Sequence, residues 1–206
     1  LIGLVIGGLV GGFYGSEPMR LAYQYVENDW IDFLGTDIHG LRYRDALINT
    51  AQRTGFRGRW EKICDSPLTI CDIGHNEHGL KYNFAQLRQM QESGEISRLV
   101  IVYGSVADKD VDAAVSLFPE NAVYVFTKAQ GKRAMPAEEV RDRYVDVCTS
   151  SGKEPAETYC FENVSDAVEK AFVLAGGVSK TMTDRPLIYI GGSTYVVSEA
   201  MAVLSE

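Results

Sequence analysis

Two short stretches of this chain combine residue types that bind or transform anions. The first, Asp72-Ile73-Gly74-His75-Asn76-Glu77-His78-Gly79, sets a carboxylate, an imidazole and an amide within five positions, directly after the apolar run Leu68–Cys71. Such a cluster can hold a ribose hydroxyl, a magnesium-bound phosphate or a substrate carboxylate. It can equally be a helix-capping loop in which Asp72 and Asn76 satisfy backbone N–H groups, and both readings stand at this point. Taking Asp72, His75 and His78 as metal ligands is the least favoured arrangement. Two histidines three apart recur by chance and no cysteine is placed to complete the set, so no metal site is assigned.

The second stretch, Gly191-Gly192-Ser193-Thr194, follows the apolar run Leu187–Ile190 and precedes a helical pattern. Two glycines let a backbone approach a ligand closely, and Ser193 adds a hydroxyl to the free N–H donors of the helix, an anion-binding arrangement. The plainer alternative is a strand-to-helix turn with Ser193 or Thr194 as N-cap. Other signatures are missing from the sequence. No G-x-x-x-x-G-K-[ST] occurs, and Gly7, Gly8, Gly11 and Gly12 do not fit G-x-G-x-x-G. No G-x-S-x-G elbow appears, which disfavours an α/β-hydrolase. Cys64, Cys71, Cys148 and Cys160 lie in or beside apolar strands and read as core residues rather than nucleophiles.

The elements that must position these loops follow a regular beat. Leu68–Cys71, Leu99–Tyr103, Ala122–Phe126, Thr158–Phe161 and Leu187–Ile190 are short, rich in β-branched or aromatic residues, and barely alternate, as strands covered on both faces do. Between them lie stripes of helical period: Leu80/Phe84/Leu87, Val111/Ala114/Val115/Phe118, Val140/Tyr144/Val147, Val164/Ala167/Val168/Ala171/Phe172/Ala175 and Val197/Ala200/Met201/Leu204. Asp108 and Asn163 are expected to cap their helices, and Pro136 to occupy a first turn. The pattern predicts a doubly wound, Rossmann-like α/β domain with a mostly parallel sheet. Ligands of such sheets sit at the carboxyl ends of strands, where both loops fall.

Residues 1–60 break the beat. A glycine-broken strand or hairpin over Leu1–Phe13, a helix from about Ser16 to Asn28, a polar loop and a helix over Leu41–Arg53 are expected, too little to bury a core of their own. At 206 residues the chain suits one substantial domain plus an appendage, and its apolar, glycine-studded start without an initiator Met reads as part of something longer. The start is too short to span a bilayer and lacks the features of a signal peptide. Hydrophobic residues at 46% and charged residues at 23% are ordinary globular composition. Twenty basic against 28 acidic residues give a net charge of −8, which argues against nucleic-acid and anionic-membrane partners. Four cysteines without a C-x-x-C pair predict a reduced, cytoplasmic setting.

Four motifs occur in order: Gly58-Arg59-Trp60-Glu61, Asp72-Ile73-Gly74-His75-Asn76, Ala107-Asp108-Lys109-Asp110 and Gly192-Ser193-Thr194-Tyr195. From Thr54 to its C-terminus the chain thereby resembles the C-terminal part of folylpolyglutamate synthase/dihydrofolate synthase, in the ATP-dependent Mur ligase superfamily. The resemblance implies residues 1–53 as the last strand and two helices of a central ATPase domain, 54–60 as linker and 61–206 as the ligase domain. It implies an amide-forming reaction in which ATP phosphorylates a folate or dihydropteroate carboxylate and glutamate attacks the acyl phosphate. Arg59 and Asp72 would contact ATP, Asp72 and His75 would act in catalysis, and His75, Asn76 and Ser193 would line the glutamate pocket. The P-loop and Mg2+ ligands would belong to the N-terminal ATPase domain, so this chain alone is expected to be inactive, with neither ATP nor Mg2+ bound. Gly15 and Pro18 stand where the family carries a Gln and an adenine-contacting Asn. The alternative from another class is a stand-alone anion-binding module without catalysis.

Overall fold

The computed structural model describes residues 3–5, 33–35, 57–176 and 185–205. The chain divides into two compact units, Leu1–Arg57 and Gly58–Glu206. In the first, strand β1 (Gly3–Val5) pairs in parallel with β2 (Phe33–Gly35). β2 falls where the sequence reading placed a polar loop. The helices expected over 16–28 and 41–53, and the departures at Gly15 and Pro18, lie outside the described residues.

The second unit is a six-stranded sheet of order β3-β4-β8-β5-β6-β7. Its strands are β3 (Glu61–Asp65), β4 (Leu68–Asp72), β5 (Arg98–Tyr103), β6 (Val123–Thr127), β7 (Thr158–Phe161) and β8 (Pro186–Gly191). β3 runs antiparallel to β4 and every other pairing is parallel. Among the described residues five helices cover it: α1 (Glu77–Glu92), α2 (Val111–Ser116), α3 (Ala137–Ser150), α4 (Val164–Gly176) and α5 (Thr194–Val203).

The strands barely alternate in polarity because both faces are covered. Leu99, Ile101 and Tyr103 of β5 enter a core with Leu80, Phe84 and Leu87 of α1 and the apolar faces of α2 and α3. Val100 and Val102, turned the other way by the pleat, meet Val164 and Ala167 of α4 and Val197 and Ala200 of α5. Phe118 knits the first layer, its ring 4.8–5.2 Å from those of Phe84, Tyr103 and Tyr124. The fold class expected from the sequence is the one observed.

Several local expectations need correction. Asp110, not Asp108, caps α2, accepting from Ala113 N at 3.0 Å. Asp108 instead pairs with Arg133 at 2.5 Å across two loops that also form the Val106–Ala134 bridge. Pro136 stands at the N-cap of α3 rather than in its first turn. Cys148 lies on α3, not beside a strand, and all four cysteines are free thiols. Among the described residues no helix is long and apolar enough to cross a membrane.

Candidate functional site

The strand register brings the two loops together. Asp72 at the end of β4 is the Cα partner of Gly191 on β8, and Tyr103 at the end of β5 partners Gly191 from the other side. β4, β8 and β5 therefore end at one level. From β4 the chain turns into α1 on one face, and from the adjacent β8 into α5 on the other. Neighbouring strands thus send their helices to opposite faces, the arrangement beside which ligands of such sheets bind, and the N-termini of α1 and α5 both follow strands that end at this rim.

Asp72 is the hub of this rim. Only 4% exposed, its carboxylate accepts from Gly74 N at 2.6 Å, Trp60 N at 2.8 Å and Asn83 Nδ2 at 2.8 Å. Arg59 Nη1 lies 3.5 Å from Oδ1, and that guanidinium is itself largely covered. The bonds to Gly74 N and Trp60 N bear out the backbone-satisfying role that the sequence left open for Asp72. The Gly58–Trp60 segment is fastened at a second point, where Ile73 N donates to Gly58 O at 2.7 Å.

His75 is half-buried, its Nδ1 3.0 Å from Ile73 O. A carbonyl only accepts, so Nδ1 is the donor in this contact, and Nε2 is the ring nitrogen not engaged by it. Asn76 is the N-cap of α1, accepting from Gly79 N at 2.7 Å. Ser193 is the N-cap of α5, its Oγ accepting from Val196 N at 3.2 Å, and is 3% exposed. An N-cap hydroxyl contributes on the order of 1 kcal/mol. Ser193→Ala is therefore expected to lower unfolding free energy in urea by about 1 kcal/mol; an unmoved midpoint would show that the cap carries no stability.

The glycine loop differs from its sequence reading. A Cβ on Gly191 would meet the Tyr189 ring at 2.7–2.9 Å, and one on Gly192, held at φ +95°, would meet Gly104 O and the Tyr103 ring at 2.5 Å. What fills the space beside both glycines is protein: two tyrosine rings seat the loop from below. Burial pushes the Tyr103 phenol up to about 12. Burial first, then the Asp72 carboxylate nearby, holds Tyr189 well above the ordinary tyrosine range. Both rings are neutral supports.

The sequence reading found Arg59, Asp72, His75, Asn76 and Ser193, and all five lie on the loops of this rim or, for Arg59, on the segment tied to it. It missed Trp60 N, Asn83 and Tyr189, which hold the hub. Asn83 carried one signal, a polar residue beside Leu80 and Phe84 on the core side of a helix; nothing pointed to Tyr189, 106 positions away. Among the described residues no three His, Cys, Asp or Glu side chains group as metal ligands, and the triad of Asp72, His75 and His78 is not assembled.

Comparison with known proteins adds the following. The family model described as Mur ligase, glutamate ligase domain matches residues 58–179. A dihydrofolate synthase/folylpolyglutamate synthase of Buchnera aphidicola subsp. Schizaphis graminum is 23% identical over 159 residues, which is 76% of this chain and 33% of that protein. The structure of Mycobacterium tuberculosis folylpolyglutamate synthase complexed with ADP and AMPPCP superposes with a TM-score of 0.60 at 22% identity, covering 95% of this chain and 41% of that one. The bifunctional folylpolyglutamate synthase/dihydrofolate synthase of Yersinia pestis, complexed with AMPPNP and Mn ion, gives 0.55 at 21% identity over 79% and 35%. The chain thus spans about a third to two-fifths of these relatives, and at these identities the structural likeness is one of fold.

Proposed function

Because the chain belongs to the Mur ligase family and carries its glutamate ligase domain, we propose that it forms the amine side of an ATP-dependent ligase adding glutamate to dihydropteroate or a folate. A carboxylate oxygen of the acceptor attacks the γ-phosphorus of ATP and ADP leaves. The glutamate amine then attacks the acyl carbon, phosphate leaves, and the amine loses a proton to a base.

Each part of the rim has a role in that sequence. Arg59 approaches the nucleotide phosphates, where a fixed guanidinium stabilises charge developing on the transferred group. Asp72, nearly covered and engaged by three N–H donors, sets the position of Arg59 beside the ribose and phosphates rather than exchanging protons. His75, with Nδ1 committed to Ile73 O, offers Nε2 to the attacking amine. Asn76 and Ser193 head two helices whose N-termini attract the carboxylates of glutamate. This reading leaves Mg2+ and the P-loop to an ATPase domain and treats this chain alone as inactive. Its partners are small molecules in the cytoplasm, with no role for nucleic acid or membrane.

The observation that carries the reading is the register of Asp72 with Gly191, which puts both anion-attracting loops on one rim. The test is isotope transfer in the complete enzyme. With 18O in the acceptor carboxylate, one labelled oxygen is expected in phosphate for each glutamate added. Glutamate addition without labelled phosphate would refute the acyl-phosphate route, and nucleotide binding without any addition would favour the anion-binding module. Arg59→Ala is expected to lower amide formation by well over about tenfold; turnover like that of the wild type would remove its assigned role.

A further inference from the structure

Asn83 belongs to none of the motifs above, yet its amide joins three elements beneath the rim. From α1, Nδ2 donates one hydrogen to Asp72 Oδ1 on β4 at 2.8 Å and the other to the Tyr189 hydroxyl on β8 at 2.9 Å. The neighbours fix which way the amide points, since the flipped form would set an oxygen against the carboxylate. Asp72 in turn accepts from Trp60 N and pairs with Arg59.

Trp60 sits at φ +44°, in the left-handed region that a bulky residue occupies only when its surroundings over-determine it. Its ring centroid lies 6.2 Å from that of Tyr189. The segment carrying Arg59 is therefore held in a costly shape; beside the bonds of Gly58 to Ile73 N and Glu61, the Asp72 carboxylate takes Trp60 N, and Asn83 ties that carboxylate to the fully buried Tyr189 side chain.

We propose that Asn83 is a positioning residue of the ligase site: it fixes the Asp72 carboxylate so that the Arg59–Trp60 segment keeps the shape in which Arg59 meets the nucleotide phosphates. This rests on the reading of Arg59 given above. Asn83 touches no reacting atom; it acts through Asp72, and the Tyr189 hydroxyl is the second anchor that stops its amide from turning away.

Two readouts test it. In the 206-residue chain, Trp30→Phe leaves Trp60 as the sole tryptophan, and Asn83→Leu is expected to shift its emission maximum. In the complete enzyme the same substitution is expected to lower kcat by about tenfold while KM for ATP stays within about threefold, because the charge that Arg59 stabilises develops on the transferred group. Placed on Arg59→Ala, it is expected to add less than about twofold, because both changes break one chain of contacts. Should Asn83→Leu fail to fold, Asn83→Asp keeps the volume and turns the donor into an acceptor, and the same pattern is expected. An unmoved emission maximum, an unmoved kcat, or a full further loss of kcat on the Arg59→Ala background would each overturn the proposal. An Arg59→Ala enzyme with unchanged kcat would instead defeat the reading of Arg59, while the emission of Trp60 still reports separately whether Asn83 holds the segment.

Discussion

Gly192→Ala is expected to cost this domain a large part of its stability. At φ +95° any side chain is strained, by about 1–2 kcal/mol for the left-handed backbone alone. Its Cβ would also lie 2.5 Å from Gly104 O and from the Tyr103 ring, neither of which is a flexible tip that can swing aside. Overpacking of that kind adds about 1–3 kcal/mol, so the two effects together approach the lower end of the roughly 5–15 kcal/mol that holds a domain folded. Gly94, also at positive φ but with nothing within 4 Å of a Cβ, is the control: its alanine variant should lose only the backbone share. Urea denaturation of both variants measures the difference. Equal midpoints would mean that the tyrosine seat does not determine the loop.

Asp72→Ala is expected to have the next largest effect, on both stability and ligation. It strips the acceptor from Gly74 N, Trp60 N and Asn83 Nδ2 together, and breaking such a buried network costs about 3–5 kcal/mol. Amide formation should fall by well over about tenfold as Arg59 loses its fixed partner. Asp72→Asn keeps the shape and one carbonyl oxygen, so it should recover part of the stability. Thermal unfolding and steady-state ligation separate the two consequences. An alanine variant that melts with the wild type would show that the hub does not hold the Arg59–Trp60 segment.

The helices and buried strands were legible because their patterns are local. The runs at Leu99–Tyr103 and Leu187–Ile190 announce strands covered on both faces, and the stripe Val164/Ala167/Val168/Ala171 announces its helix. Glu61–Asp65 carries no such run: as an antiparallel edge strand it is half exposed and needs little apolar content. The insertion of β8 between β4 and β5 was not legible either, since strand order depends on contacts far apart in sequence. At the site, residue types announced the two loops, but not what already occupies them. The lone pairs of Asp72, Asn76 and Ser193 serve backbone N–H groups, and the glycines make room for Tyr103 and Tyr189. Asp108 was misread as a cap because its ion pair to Arg133 is 25 positions away, while Asp110, next to the helix, took the cap.

Hydrogen–deuterium exchange in the complete enzyme tests most directly whether this rim grips the reactants. On adding a non-hydrolysable ATP analogue, glutamate and a folate acceptor, amides at 74–77 and at 192–196 are expected to slow together, while those at the opposite rim, around Ser66 and Asn121, stay unchanged. Exchange that is unaltered at both loops while the ligands are bound, or that slows only at the opposite rim, would contradict the account.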